Sequence, residues 1–402
     1  MNTTVIPEKV GLSSTRLSRV NAVMQEYVNQ GKYAGIITMV ARRGQIAHFE
    51  RFGMMDIESA KPMRPDTIFR IYSMSKPVTS VAVMMLYEEG HFQLYTPVSE
   101  FIPEFKETKV FAGGTESYME LADLEREITI HDLLTHTSGL AYGPDTNLPV
   151  DALYKKALEK LETGATLTEM VQVFATLPLV HQPGSAWRYS FSTDVLGRVV
   201  EVVSGMSFDE FLVQRVFNPL EMGDTGFYVP PEKIDRFATL YGSEEGENGG
   251  GLKVLDDPVT GGYAKPPTFL SGGGGLVSTA HDYMRFAQML LNKGALDDVR
   301  LLGRKTIELM TVNHLPAELL PYGPGPDPIY GCGFGLGWKV MMDSTQAKVL
   351  GSEGMYGWGG AASTEFWVDP KEELIGLIML QFMPYYPLVE DFQVLVYQAI
   401  VD

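Results

Sequence analysis

Apolar residues at Leu17, Val20, Met24 and Val28 recur at the spacing of one helical face, and Ser13 or Ser14 can cap its start. This predicts a helix over residues 14–30. Two β-rich runs follow, 35–41 and 45–52, parted by Arg42-Arg43-Gly44. They read as an antiparallel hairpin, with Gly44 free to take positive φ. A strong helix is predicted over 75–89, apolar at Val78, Val81, Ala82 and Met85 and stopped by Gly90. From Phe92 to about Lys265 helical patterns dominate, at 130–135, 151–162, 167–175 and 193–203, with a Gly/Glu-rich exposed loop at 242–251. Beyond Pro266 the pattern is mixed. A helix at 279–291 precedes a Pro/Gly-rich loop at 315–333, then β-like runs at 335–342, 361–368 and 374–381, and a closing helix at 389–400. Asp369-Pro370-Lys371 makes a natural turn between the last two runs.

Hairpin first, helices in the middle and strands last predict an α/β fold of the α+β type. One antiparallel sheet, flanked by helices, is built from both chain ends, residues 1–85 and 266–402. A mostly helical region, 86–265, is inserted, and the active site is expected in the cleft between the two.

Composition narrows the function classes. The 402 residues are 45% hydrophobic and 20% charged, enough to bury a large core, which excludes disorder as the main state. A net charge of −18, with no Lys/Arg run, disfavours phosphate backbones and anionic lipid, so neither nucleic acid nor membrane is an expected partner. Cys332 is the one cysteine, so no intrachain disulfide is available. The first residues lack the basic start and apolar stretch of a secretory signal, and Gln381, Pro384 and Pro387 interrupt the apolar stretch 374–389. A cytoplasmic location is therefore expected. The seven histidines are scattered, with no HExxH and no Cys/His cluster, so neither metal nor other cofactor is expected.

The nucleophile elbow Gly-x-Ser-x-Gly is absent, which counts against an α/β-hydrolase. Instead, Ser73-Met74-Ser75-Lys76 opens the strong helix. Three residues is nearly one turn, so Ser73 and Lys76 share a face, and the positive helix end favours an oxyanion on the serine. A lysine so held can take the serine proton, given a partner that relays it. Alone, the motif also suits a capping serine followed by an exposed lysine.

Its surroundings extend the pattern. Pro65-Asp66-Thr67-Ile68-Phe69-Arg70-Ile71-Tyr72 precedes it, and Pro77-Val78-Thr79-Ser80 follows. Later come Leu133-Leu134-Thr135-His136-Thr137-Ser138-Gly139-Leu140, then Pro183-Gly184 with Tyr189-Ser190, then Gly273-Gly274-Gly275-Leu276-Val277-Ser278-Thr279-Ala280. In this order the segments resemble the β-lactamase-like serine hydrolases, the superfamily of class C β-lactamases and serine D-alanyl-D-alanine peptidases, from about Gly11 to the last helix. The resemblance implies that Ser73 is the acyl-accepting nucleophile and Lys76 its proton partner. The tyrosine of the family's Tyr-x-Asn motif maps to Tyr189, with Phe191 in place of the asparagine. No Lys-Thr-Gly exists; Gly357-Trp358-Gly359-Gly360 stands in its place, before a strand expected from Ala361. By resemblance the N–H groups of Ser73 and Ala361 form the oxyanion hole.

Both departures exchange polar for aromatic residues. An apolar-walled site, with Trp358, Gly359, Gly360 and Phe191 as its substrate contacts, suits a neutral ester better than a charged peptide or β-lactam. Tyr-Ser plus Trp-Gly-Gly is similar to the family VIII carboxylesterases, and also to fungal acyltransferases in which an alcohol replaces water. The implied function is hydrolysis of small-molecule, short-chain acyl esters, with weak side activity on β-lactams. The rivals are an acyltransferase, a β-lactamase or D-alanyl-D-alanine peptidase, and a binding protein that kept the fold. Other motifs are set aside. His136 could serve a Ser-His arrangement, but its segment reads as a structural turn bonding backbone groups. Residues 272–275 carry no GxxxxGK[ST] and are expected to let the chain pass close to the sheet.

Overall fold

Both ends of the chain feed one antiparallel sheet in the computed structural model, which describes residues 4–142, 148–162, 164–244, 251–323, 328–384 and 388–402. Among the described residues eight strands form it, in the order Cys332–Phe334, Lys339–Met341, Tyr356–Gly359, Glu365–Asp369, Leu374–Leu380, Gly35–Arg42, Gln45–Asp56 and Lys61–Pro62. Ile36 pairs with both Leu380 and Phe52, so the first strand joins the two chain ends. Its hairpin closes through Arg43 and Gly44, at φ 53° and 73°, and two successive positive φ angles match the twist of the strands.

Every residue of Gly35–Arg42 and Leu374–Leu380 is buried. Successive side chains on a strand point to opposite faces, so both faces of the sheet are covered. Phe366 and Trp367 show by what. Phe366 meets Tyr283 of the helix Ala280–Leu291 at 5.0 Å between ring centres, and Trp367 meets Phe392 of the helix Leu388–Tyr397 at 5.3 Å. The opening helix, Ser14–Asn29, is capped by Ser13 and packs on the closing one. Gly376 makes room for the indole of Trp367, since a Cβ there would lie 2.1 Å from it. Arg42, buried at the sheet's end, ties the termini together through Asp402, Glu372 and the carbonyls of Val10 and Gly11.

Several local expectations shift. The stretch 242–251 is not simply a loop: Leu240–Ser243 and Leu252–Asp256 pair, and Phe382–Met383 joins them in parallel. Residues 245–250 lie outside the described set. A second hairpin, Val110–Thr115 with Tyr118–Ala122, also interrupts the mainly helical middle. Both hairpins are rich in Gly, Glu and Ser, and ladder hydrogen bonds form without the apolar alternation that sequence reading relies on. The run 361–368 divides. Tyr356–Gly359 is a strand, a turn passes through Ser363 at φ 65°, and Glu365–Asp369 is the next strand. Within 315–333, expected to be loop, Cys332–Phe334 forms the sheet's edge; residues 324–327 lie outside the described set. No helix among the described residues is long and apolar enough to cross a membrane.

Candidate active site

Ser73 sits in a single 3-10 turn, Tyr72–Met74, that runs directly into the helix Ser75–Glu88. Tyr72 has φ 41°, a conformation costly for a residue with a Cβ, so the surroundings must impose it. Ile71 N–H donates to the Leu276 carbonyl at 3.0 Å, Leu276 N–H to Ser75 Oγ at 3.1 Å, and Tyr283 Oη to the Met74 carbonyl at 2.9 Å. Upstream, Ile68–Arg70 pairs with Val277–Thr279. The side-chain amide of Gln381 accepts from Arg70 N–H at 3.1 Å and donates to its carbonyl at 3.0 Å. Gln381, which interrupts an apolar run in the sequence, is thus a clamp on the segment leading to Ser73.

Lys76 is buried. Its Nζ donates to Ser73 Oγ at 3.2 Å and to the Gly273 carbonyl at 2.6 Å. Nζ also lies 4.4 Å from the ring centre of Tyr189 and 5.6 Å from that of Tyr142, faces that favour positive charge there. The glycines at 272–275 have a different reason from the expected one. A Cβ on Gly272 would lie 2.6 Å from the Thr193 carbonyl, and one on Gly273 2.6 Å from Asp194 Oδ2. The chain there passes close to two helices, Ser75–Glu88 and Ser192–Ser204, rather than to the sheet.

Tyr189 reaches Lys76 because residues 180–191 run beside 136–141. Val180 N–H bonds the Gly139 carbonyl, Gly184 N–H that of Thr137, Arg188 N–H that of His136 and Phe191 N–H that of Ala141. The ring of Tyr189 packs among His136, Trp187 and Trp358. Its hydroxyl accepts from the Trp358 indole N–H at 3.3 Å. Trp358 is therefore a polar partner of Tyr189 as well as a ring packed on it. Phe191 is not at the surface of the site. It is stacked between Tyr142 and Phe174, at 4.6 and 4.5 Å, within the core. Tyr142 covers it and is the ring that lies towards Lys76. Phe191 immediately precedes the helix Ser192–Ser204, where the chain turns its side chain inward. The sequence signal for Tyr142 is slight, an aromatic two residues past Leu140.

Gly359 and Gly360 end the strand Tyr356–Gly359 against the Ser73 segment. A Cβ on Gly360 would lie 2.4 Å from the Ile71 carbonyl and 2.3 Å from Thr364 Oγ1, so only glycine allows this approach. Ala361 follows in the turn, exposed, and its N–H meets no acceptor among the described residues. His136 belongs elsewhere. It is buried at φ 56°, and its Nδ1 lies 3.3 Å from Ser190 Oγ. Ser190, Ser192 and Ser138 continue the chain of hydroxyls at 2.8 Å steps. Burial, reinforced by the Lys76 charge, pushes the imidazole well below its usual range, so it stays neutral and buttresses Tyr189. Among the described residues no three His, Cys, Asp or Glu side chains converge as a metal site.

Serine, lysine and tyrosine thus meet around the buried Lys76 Nζ, drawn from segments more than a hundred residues apart, with Ser73 and Tyr189 half-buried. Comparison with known proteins gives the family of the chain. The Beta-lactamase family model matches residues 20–395. Protein Rv1367c of Mycobacterium tuberculosis is 36% identical over 367 residues, covering 90% of this chain and 89% of its own. Esterase EstB of Burkholderia gladioli is 30% identical over 382 residues, covering 90% of each. The structure of EstCE1, described as a hydrolase with promiscuous acyltransferase activity, superposes with a TM-score of 0.80 at 27% identity, covering 95% of this chain and 99% of that one. A match spanning nearly the whole chain, on the fold and motif order described above, places this chain in the β-lactamase family.

Proposed function

We propose that the chain is a serine carboxylesterase acting on small, neutral, short-chain acyl esters. The observation that carries the reading is Lys76 Nζ held 3.2 Å from Ser73 Oγ, beside the rings of Tyr189 and Tyr142. Ser73 Oγ attacks the ester carbonyl and its proton passes to Lys76. The tetrahedral oxyanion rests on the N–H groups of Ser73 and Ala361. Collapse expels the alcohol, which takes a proton back through Lys76 and Tyr189. Water then attacks the acyl-enzyme, losing its proton along the same route, and releases the acid. In this reading Ser73, Trp358 and Ala361 come from the sheet-bearing region, and Tyr142 and Tyr189 from the inserted one, so the substrate binds between them.

An acyltransferase reading has specific support, because EstCE1 is described as carrying promiscuous acyltransferase activity alongside hydrolysis. It differs only at the second step, where an alcohol replaces water. The deciding experiment compares p-nitrophenyl butyrate with nitrocefin, with and without an added alcohol. The ester is expected to give the larger kcat/KM and mainly free acid. Faster turnover of nitrocefin would favour a β-lactamase, and predominant transfer to the alcohol an acyltransferase.

The indole contact makes a separate prediction. Trp358→Phe keeps an aromatic wall and removes the N–H that bonds Tyr189. A hydrogen bond of this kind contributes about 1 kcal/mol, so kcat should fall roughly fivefold to tenfold with KM little changed. A rise in KM at constant kcat would instead make Trp358 a binding surface only.

A further inference from the structure

The helix Ser192–Ser204 buries a carboxylate that the scheme above does not use. Asp194 is 1% exposed. Its Oδ1 accepts from Ser271 Oγ at 2.5 Å and from Gly273 N–H at 3.1 Å. Its Oδ2 is buried with no hydrogen-bond partner among the described residues. An unpaired carboxylate oxygen in the interior is costly, and such groups persist where they serve a purpose. Oδ2 lies against Gly273, where a Cβ would approach it to 2.6 Å. The carbonyl of the same glycine accepts from Lys76 Nζ at 2.6 Å. Asp194 and Lys76 therefore grip one residue, the first at its N–H and the second at its carbonyl. Lys76 itself has Ser73 Oγ and that carbonyl as its bonded partners, and no carboxylate touches it among the described residues.

Burial raises the Asp194 carboxyl above its usual range, while the Ser271 hydroxyl, the Lys76 charge and the Gly273 N–H oppose that rise. Asp194 also stands in the first turn of its helix, where the positive end favours an anion.

We propose that Asp194 is a positioning residue for Lys76. It fixes Gly273 so that the glycine carbonyl keeps Nζ on Ser73 Oγ, and it supplies the buried negative charge that balances the ammonium formed when Lys76 takes the serine proton. This deepens the esterase reading and rests on Ser73 and Lys76 acting as its nucleophile and base.

The test uses Asp194→Asn, which keeps the shape and one acceptor but loses the charge, beside Asp194→Ala, which loses both. Labelling of Ser73 by a fluorophosphonate, followed by intact mass, reads the acylation step directly. Kinetics on p-nitrophenyl butyrate and a thermal melt accompany it. Both variants should be labelled about tenfold or more slowly than wild type, with kcat lowered alike and KM within about threefold. The Asn variant should melt close to wild type. If Asn restores the wild-type labelling rate that Ala loses, or if neither variant is slowed, the proposal is overturned. Should wild-type Ser73 take no label at all, the esterase reading falls and this proposal with it. Normal wild-type labelling with an unslowed Asn variant removes this proposal alone.

Discussion

Ser73→Ala is expected to lower kcat/KM for p-nitrophenyl butyrate by on the order of 10⁴- to 10⁶-fold, the scale seen when the nucleophile of an acyl-enzyme mechanism is removed. The change deletes one oxygen. It leaves the turn Tyr72–Met74 held by the backbone bonds of Ile71 and Met74, by Ser75 Oγ accepting from Leu276 N–H and by Tyr283. Stability should therefore be close to wild type, and a thermal melt separates a folded, inactive variant from a damaged one. What the mutation removes from Lys76 is one of two partners, since the Gly273 carbonyl remains. The residual rate reports the oxyanion donors and the pocket alone. If the folded variant hydrolyses the ester as fast as wild type, Ser73 is not the nucleophile and the scheme is wrong.

Lys76→Met is the second large effect. Methionine matches the length and apolar stem of lysine, so the buried site stays filled, but the Gly273 carbonyl loses its donor. An unsatisfied buried acceptor costs about 1–3 kcal/mol of stability. Catalysis should suffer more, because no other base lies on Ser73 Oγ among the described residues: a loss of about 10²- to 10⁴-fold in kcat is expected for a general base. Fluorophosphonate labelling of Ser73 should slow in step, since it too needs the serine proton removed. His136 offers no substitute, because it is buried, neutral and hydrogen-bonded towards Ser190. Pairing Lys76→Met with Tyr189→Phe apportions the proton transfer. If Tyr189→Phe is the more damaging, the tyrosine is the base and Lys76 its electrostatic support.

Much of this site is legible in the amino-acid order alone. Ser73 and Lys76 are three apart at the head of a strongly apolar helix, and local helical geometry puts them on one face. The two chain-end blocks of β pattern imply a sheet built from both termini, and Arg43-Gly44 marks its first turn. These features are encoded within a few residues of one another, where periodicity and turn chemistry act.

What only the tertiary structure decided lies in contacts across the chain. Gln381 reads as a break in an apolar run until it clamps Arg70. Phe191 reads as a pocket wall until stacking on Phe174 turns it into the core and leaves Tyr142 to face Lys76. Asp194 reads as an ordinary acidic residue in a first helical turn until Gly273 is brought against it. The glycines at 272, 273 and 360 signal close approach, but what approaches, two helices and the Ser73 segment, is set by packing. Local propensity carries no record of a partner far along the chain; that choice is made by which buried polar groups can be satisfied and which apolar faces can close when the whole core forms.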